Sequence, residues 1–179
     1  MKAAAGFVAL MVAIFLAFPL QEMIPPVGGF YGARILLVPA LFMYGALAFP
    51  LPATLMLAAY AGFLSDLAYL HVVDGRVEIA LGWSIVFFVI TGLVGNGLRP
   101  MFLRGHWYVH LPLAILSTSA YLTLQFAMLS LRRGGFVIDD SVVWRIVGSG
   151  LMAGCTTPVC QVIACQAGLL GDHKRRVLT

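Results

Sequence analysis

The sequence predicts an all-α fold: a single bundle of about six helices that crosses a membrane. Of the 179 residues, 61% are hydrophobic and 10% are charged, whereas soluble domains average about 45–50% apolar and about 25% charged residues. The apolar residues form continuous stretches close to the roughly 20 residues that a helix needs to span a bilayer. These stretches lack the alternation of barrel strands, and a helix satisfies its own backbone hydrogen bonds in lipid, so we expect a helical bundle.

Six apolar stretches, separated by turn-forming or charged residues, place the whole chain in one membrane domain. The predicted helices cover approximately residues 3–20, 32–49, 53–70, 78–98, 111–131 and 142–170. The first stretch is longer than the apolar core of a signal peptide and lacks a good cleavage site, so we expect a retained helix. Pro50 and Pro52 predict a tight hairpin turn between the second and third helices. The sixth helix contains Pro158, which predicts a kink or an interfacial first turn.

The distribution of basic residues predicts the orientation of the bundle. Cytoplasmic loops of membrane proteins carry an excess of Lys and Arg. That rule favours both termini inside, which an even number of crossings permits. The cytoplasmic positions would then be Lys2, Arg99, Arg104, Lys174, Arg175 and Arg176, with Arg76, Arg132 and Arg133 outside and Arg34 at the border.

Asp66 is the most informative residue because it interrupts the third apolar stretch. A carboxylate inside a membrane costs at least about 2.5–3.5 kcal/mol on insertion scales and needs a partner, water or a proton. Arg34 and Asp66 lie at similar distances from the Pro50 turn, about 24 Å at 1.5 Å per residue. We therefore predict an Arg34–Asp66 pair across the hairpin. The alternative is that both side chains reach separately to the outer interface.

Two ladders of small residues predict close approach of helix backbones. Such ladders serve either internal packing, which we favour because Ala and Gly are abundant here, or docking of a partner. The ladders are Ala5, Ala9, Ala13 and Ala17 in the first helix, and Gly150 and Gly154 in the sixth.

No group of residues predicts chemistry, so we expect no enzyme and no catalytic, cofactor-binding or metal site. Cys155, Cys160 and Cys165 recur at intervals of five and do not share a helix face. His106 and His110 lack a third ligand, and the aromatic residues between them favour an interfacial belt over a metal site.

The stretch from Arg34 to Leu67 resembles the MreD family of rod shape-determining membrane proteins. The matching features are Arg34 at the start of a helix, the proline turn at Pro50, and Gly62-x-x-x-Asp66-Leu67. The resemblance is clearest over residues 34–98. In one departure, residues 68–71 precede the glycine of a turn that in the family follows the aspartate directly.

The resemblance implies a non-enzymatic scaffold of the bacterial cell-elongation machinery, which builds the peptidoglycan of the lateral wall. It implies a location in the bacterial inner (cytoplasmic) membrane, and an MreC-like protein and peptidoglycan synthases as partners. It also implies structural roles for Arg34, Gly62 and Asp66, and no cofactor. Nothing in the sequence suggests binding to nucleic acid.

A different class remains open, because substrate-binding S-components of energy-coupling-factor vitamin transporters are also small six-helix proteins. Their first helix docks on a coupling subunit through an Ala-x-x-x-Ala pattern, which the Ala5–Ala17 ladder resembles. Such a component should offer an outward pocket lined with polar groups. Beyond Arg34, Asp66 and Gln125 the sequence offers few candidates to line one, which favours the scaffold.

Overall fold

In the described part of the chain, the fold is a bundle of six α-helices with one pair of very short antiparallel strands. The computed structural model describes residues 2–69, 72–73, 76–77, 82–104, 107–133, 135 and 139–166. Two short 3-10 helices, Gly28–Phe30 and Trp107–Val109, lie in the connections. The helices are α1 (Lys2–Met23), α2 (Leu37–Ala48), α3 (Leu51–Ala68), α4 (Trp83–Leu103), α5 (His110–Arg133) and α6 (Asp140–Gln166), and the strands β1 (Val72–Val73) and β2 (Arg76–Val77) pair antiparallel.

Among the described residues, four helices are long and apolar enough to cross a membrane. They cover Ala4–Met23, Leu51–Ala68, Trp83–Leu103 and His110–Leu131. Much of their apolar surface points outward, with Phe15, Phe63 and Leu116 all more than half exposed. Lipid suits such a surface, and water does not, because water would leave the apolar area without compensation.

The short helix α2 lies at the centre of the bundle and packs against α1, α3, α4, α5 and α6. Its 12 residues extend about 18 Å at 1.5 Å per residue, less than the thickness of a bilayer core. Phe42 and Met43 are fully buried there, and Phe42 meets Phe88 of α4 edge to face at 4.8 Å. The other helices therefore form a shell around α2.

Two helices begin later than the sequence suggests. The second was expected from residue 32 but starts at Leu37, because Val27 and Ala33 pair in an isolated β-bridge and Gly32 has a φ of +78°. The fourth was expected from residue 78 but starts at Trp83, after Gly82 with a φ of +103°. Positive φ interrupts helical geometry and is cheap only for glycine.

Two other helices end later than the sequence predicts. Helix α1 continues through Pro19 to Met23, and α4 continues through Pro100 to Leu103. Proline is tolerated in membrane helices where neighbouring groups satisfy the freed carbonyl. The part of the sixth predicted helix beyond Gln166 lies outside the described residues.

The hairpin turn between α2 and α3 is as tight as its prolines predict. Only Phe49 and Pro50 separate the two helices, and Pro52 lies in the first turn of α3. The side-chain amide of Asn96 on α4 donates to the Phe49 carbonyl at 3.0 Å. The turn is thus fixed by proline geometry and by a third helix.

Candidate functional site

Buried polar side chains gather where α1 and α3 end and where α2 and α4 begin. We call this group the polar cluster. Such groups are costly inside an apolar bundle unless they are hydrogen-bonded, so their partners define what the cluster does. Its members are Gln21, Ser65, Asp66, Tyr69, Ser84 and Tyr121.

Asp66 caps the start of a neighbouring helix. Its carboxylate is 7% exposed; one oxygen accepts the Gly82 N–H at 2.6 Å and the other accepts the Ser84 N–H at 3.3 Å. The first N–H groups of a helix have no partner within the helix, and the partial positive charge there favours an anion. Helix α4 has no acidic residue in its own first turn, so Asp66 supplies that charge from α3.

Arg34 takes a different partner, which corrects the predicted Arg34–Asp66 pair. Its guanidinium donates to Glu22 at 3.0 Å, and the two side chains are 60% and 53% exposed. The prediction placed Arg34 inside the second helix, at the depth of Asp66. Since α2 starts at Leu37, Arg34 instead lies on the preceding segment, beside the end of α1. Asp66 meanwhile meets its need for compensation with backbone N–H groups.

Gln21 joins three helix ends, a role that the sequence did not reveal because the residue was assigned to a connection. Its amide nitrogen donates to the Tyr69 hydroxyl at 2.8 Å, and its oxygen accepts the Leu37 N–H at 3.3 Å. Gln21 is 4% exposed. Burial also raises the pKa of Tyr69, just past the end of α3, well above its usual value of 10.0. Tyr69 therefore remains a neutral hydroxyl at physiological pH.

The polar cluster continues to α5 through a second contact. The hydroxyls of Ser84 and Tyr121 lie 3.3 Å apart, and the Ser65 hydroxyl donates to the Ala61 carbonyl at 2.8 Å. The cavity beside these groups has a volume of only about 20 Å³, far below the several hundred Å³ of typical ligand pockets. The polar cluster therefore joins helix ends around a cavity smaller than a typical ligand pocket.

A much larger cavity, about 530 Å³, lies next to the polar cluster between the 26–34 connection, α5 and α6. We call it the arginine cavity, because Arg34 and Arg145 both line it. Gln125 and Ser149 add polar groups, and Gln125 also lines the small cavity of the polar cluster. The arginine cavity has the size and mixed polarity of a ligand site.

A third opening, about 470 Å³, lies between α4 and α5 and is almost wholly apolar. Phe87, Ile90 and Leu116 line it. Such a surface matches lipid chains or another apolar helix.

Glycines of α3 and α6 lie at close helix contacts. A Cβ on Gly62 would lie 2.5 Å from the Ile85 Cα of α4. On α6, a Cβ on Gly150 would overlap the Ser119 hydroxyl, and one on Gly154 would lie 2.7 Å from Ile115. At Gly62 the nearest atoms belong to the Ile85 backbone, so only glycine allows α3 and α4 so close there. Gly150 and Gly154 chiefly meet side chains of α5.

The alanine ladder of α1 divides between the surface and the core. Ala5 and Ala9 are exposed, Ala13 is half-buried and Ala17 is buried. The second half of the ladder thus serves internal packing, while the first half faces out of the bundle.

His110 is a structural residue that the sequence analysis placed in a loop. It begins α5 and is fully buried, with its Nε2 donating to the Ala40 carbonyl at 3.1 Å. Its ring meets Tyr44 edge to face at 5.7 Å. Among the described residues, no three His, Cys, Asp or Glu side chains lie together in a way that could hold a metal.

These features define a helical protein with four helices suited to a membrane, a polar cluster that joins helix ends and one sizeable cavity with two arginines. No protein-family model, no curated protein and no solved structure matches this chain.

Proposed function

We propose that this chain is a non-enzymatic membrane scaffold of the bacterial cell-elongation machinery, similar to MreD. The proposal rests on the MreD-like residues Gly62 and Asp66. Both lie in the contact between α3 and α4: Gly62 admits the Ile85 backbone, and Asp66 caps α4 through Gly82 and Ser84. These contacts hold two helices in a fixed relation and expose no reactive group. That is the role the resemblance implies for them.

The proposal includes six crossings of the bacterial inner membrane with both termini in the cytoplasm. The helix α2 alone is too short to cross the membrane. Residues 33–36 add about 13 Å as extended chain to its roughly 18 Å, which together approach the thickness of the hydrocarbon core. Non-helical backbone at membrane depth is tolerated only inside protein. Ala33 and Leu36 are buried and the Arg34 N–H donates to the Ser149 hydroxyl at 3.2 Å, while the exposed Arg34 side chain extends toward the outer interface.

The proposed partners are an MreC-like protein and peptidoglycan synthases. Exposed apolar side chains on α1 and α3, such as Val8, Phe15 and Phe63, could pack against a partner's membrane helix as readily as against lipid. The interaction would then rest on shape and small residues rather than on charge.

Co-purification from membranes tests this proposal. The tagged full chain is solubilised in mild detergent from the organism that encodes it, and the retained proteins are identified by mass spectrometry. We expect an MreC-like protein to be enriched over an unrelated single-pass membrane protein. Enrichment of a transporter ATPase, with no MreC-like protein, would contradict the scaffold.

An S-component-like substrate-binding subunit of a vitamin transporter is the second candidate, and the arginine cavity favours it. The sequence alone offers few groups to line a pocket, but in the fold Arg145 and Ser149 join Arg34 and Gln125 there. Ala5 and Ala9 also lie exposed on α1, as docking on a coupling subunit would need. Neighbouring genes distinguish the two: an actin-like filament protein or a transpeptidase supports the scaffold, and a transporter ATPase supports the subunit.

A further inference from the structure

We propose that the arginine cavity binds an anionic amphiphile, a lipid whose phosphate contacts Arg145 and whose chain lies along α5. This site goes beyond the scaffold function and does not depend on it. The cavity holds about 530 Å³, enough for a lipid headgroup and the first part of a chain.

The charge of the cavity lining points to an anion. Arg34 and Arg145 line the cavity, and among the described residues no carboxylate does. Glu22 already compensates Arg34, whereas Arg145 has no carboxylate within ion-pair distance in the part of the chain that is described. The lining therefore carries close to one uncompensated positive charge, which matches the single charge of a phosphodiester.

The 27–33 loop holds Arg145 in place. The Tyr31 carbonyl accepts the Arg145 Nε–H at 3.1 Å, and Tyr31 adopts a left-handed conformation, with a φ of +51°. The loop is closed by the Val27 N–H, which donates to the Ala33 carbonyl at 2.9 Å. Because this contact uses only the Nε–H, the N–H groups of the two terminal guanidinium nitrogens can donate to phosphate oxygens.

An apolar wall of the cavity runs along two helices. It consists of Leu122, Phe126 and Leu129 of α5 and of Val142 and Ile146 of α6. At 1.5 Å per residue, Leu122 lies about 14 Å from Leu131 along the helix axis. Leu131 ends the apolar span of α5. The wall therefore extends from the membrane surface toward the interior, as an acyl chain does.

The amphipathic lining explains why we choose a lipid over a soluble anion. A free phosphate would use only the arginine side of the cavity and leave the apolar wall without a partner. A lipid would bury that wall and place its phosphate at the guanidinium, so that both contributions favour the same occupant.

Native mass spectrometry of the detergent-solubilised full chain tests the proposal. The protein is titrated with phosphatidylglycerol and with phosphatidylcholine of identical chains. Both lipids carry the phosphodiester, but the choline cation cancels the net charge of phosphatidylcholine and is repelled by the arginines of the lining. We therefore expect phosphatidylglycerol to bind more tightly by about tenfold. Arg145→Gln should abolish this preference and Arg145→Lys should retain much of it. The control Arg104→Gln removes an exposed arginine at the C-terminal end of α4, which does not line the cavity. It should leave the preference for phosphatidylglycerol unchanged.

Two further arms separate the lipid from other sources of the same chemistry. Inorganic phosphate in millimolar excess should not displace phosphatidylglycerol, and Phe126→Ala should weaken long-chain more than short-chain phosphatidylglycerol. Equal binding of the two lipids, or an Arg145→Gln variant that keeps the preference, would overturn the proposal. Displacement by phosphate alone would also overturn it and would favour a site for a small soluble anion.

Discussion

At the scale of single residues, Asp66 shows how a buried carboxylate is compensated without a cation. Hydropathy and spacing identified Asp66 as unusual, and they located the turn at Pro50. They could not reveal its partners, because these are the backbone N–H groups of Gly82 and Ser84. Nearly every residue carries such a group, and only the fold brings these two within reach of Asp66. Gln21 escaped prediction for the same reason: two of its partners are a hydroxyl and a backbone N–H far along the chain.

Removal of the Asp66 carboxylate should destabilise the bundle. Asp66→Ala leaves two N–H groups at the start of α4 without an acceptor, and hydrogen bonds to a charged group contribute about 1.5–3 kcal/mol each. For two such bonds we expect a loss of about 3–6 kcal/mol in the free energy of unfolding in detergent. Glu22→Gln is the control, because its exposed ion pair with Arg34 should contribute at most about 1 kcal/mol. Equal losses in both variants would show that Asp66 does not cap α4.

The burial of Tyr69 predicts a loss of stability in alkali. The pKa of Tyr69 is raised in the fold, so the folded state favours the neutral hydroxyl. Stability is unaffected below the unfolded value of 10.0 and falls as the pH rises through it, where only the unfolded chain readily ionises this group. Thermal unfolding between pH 8 and pH 11 should therefore decline more steeply for the native protein than for Tyr69→Phe. Parallel curves would contradict this account.

At the scale of elements, the sequence predicts correctly which stretches are helical, but it misplaces the start of two helices. Six apolar stretches became six helices, and the prolines at 50 and 52 lie where two helices meet. The starts of α2 and α4 escaped prediction, because positive φ at Gly32 and Gly82 depends on tertiary contacts of the loops. Apolar composition alone cannot separate the central helix α2 from the partly buried extended segment that precedes it.

The contact between α3 and α4 should tolerate no side chain at position 62. In Gly62→Ala the new Cβ would lie 2.5 Å from the Ile85 Cα, so the two backbones must separate. We expect a loss of about 1–3 kcal/mol, as for other overpacked sites. Gly97→Ala on α4 is the control, because nothing lies within 4 Å of its Cβ, and alanine favours a helix by up to about 1 kcal/mol. Thermal unfolding of both variants measures this difference in stability. Equal stability of the two variants would contradict the close contact.

At the scale of the whole molecule, the charge distribution predicts an orientation that cysteine labelling can test. With both termini in the cytoplasm, the loop after α4 faces inside and the one after α5 faces outside. In a background without native cysteines, a single cysteine introduced by Arg104→Cys should resist an impermeant maleimide in intact cells, and one introduced by Gly135→Cys should react. The reverse labelling pattern would show that the protein has the opposite orientation in the membrane.

The central claim is that this bundle acts as a scaffold in cell elongation, and depletion with complementation tests it most directly. Depletion of the protein should convert rod-shaped cells to spheres, as measured by the ratio of cell length to width. Native protein and Gly97→Ala should restore that ratio, and Gly62→Ala, expressed at an equal level, should restore it less. Cells that keep their rod shape after complete depletion would contradict the account.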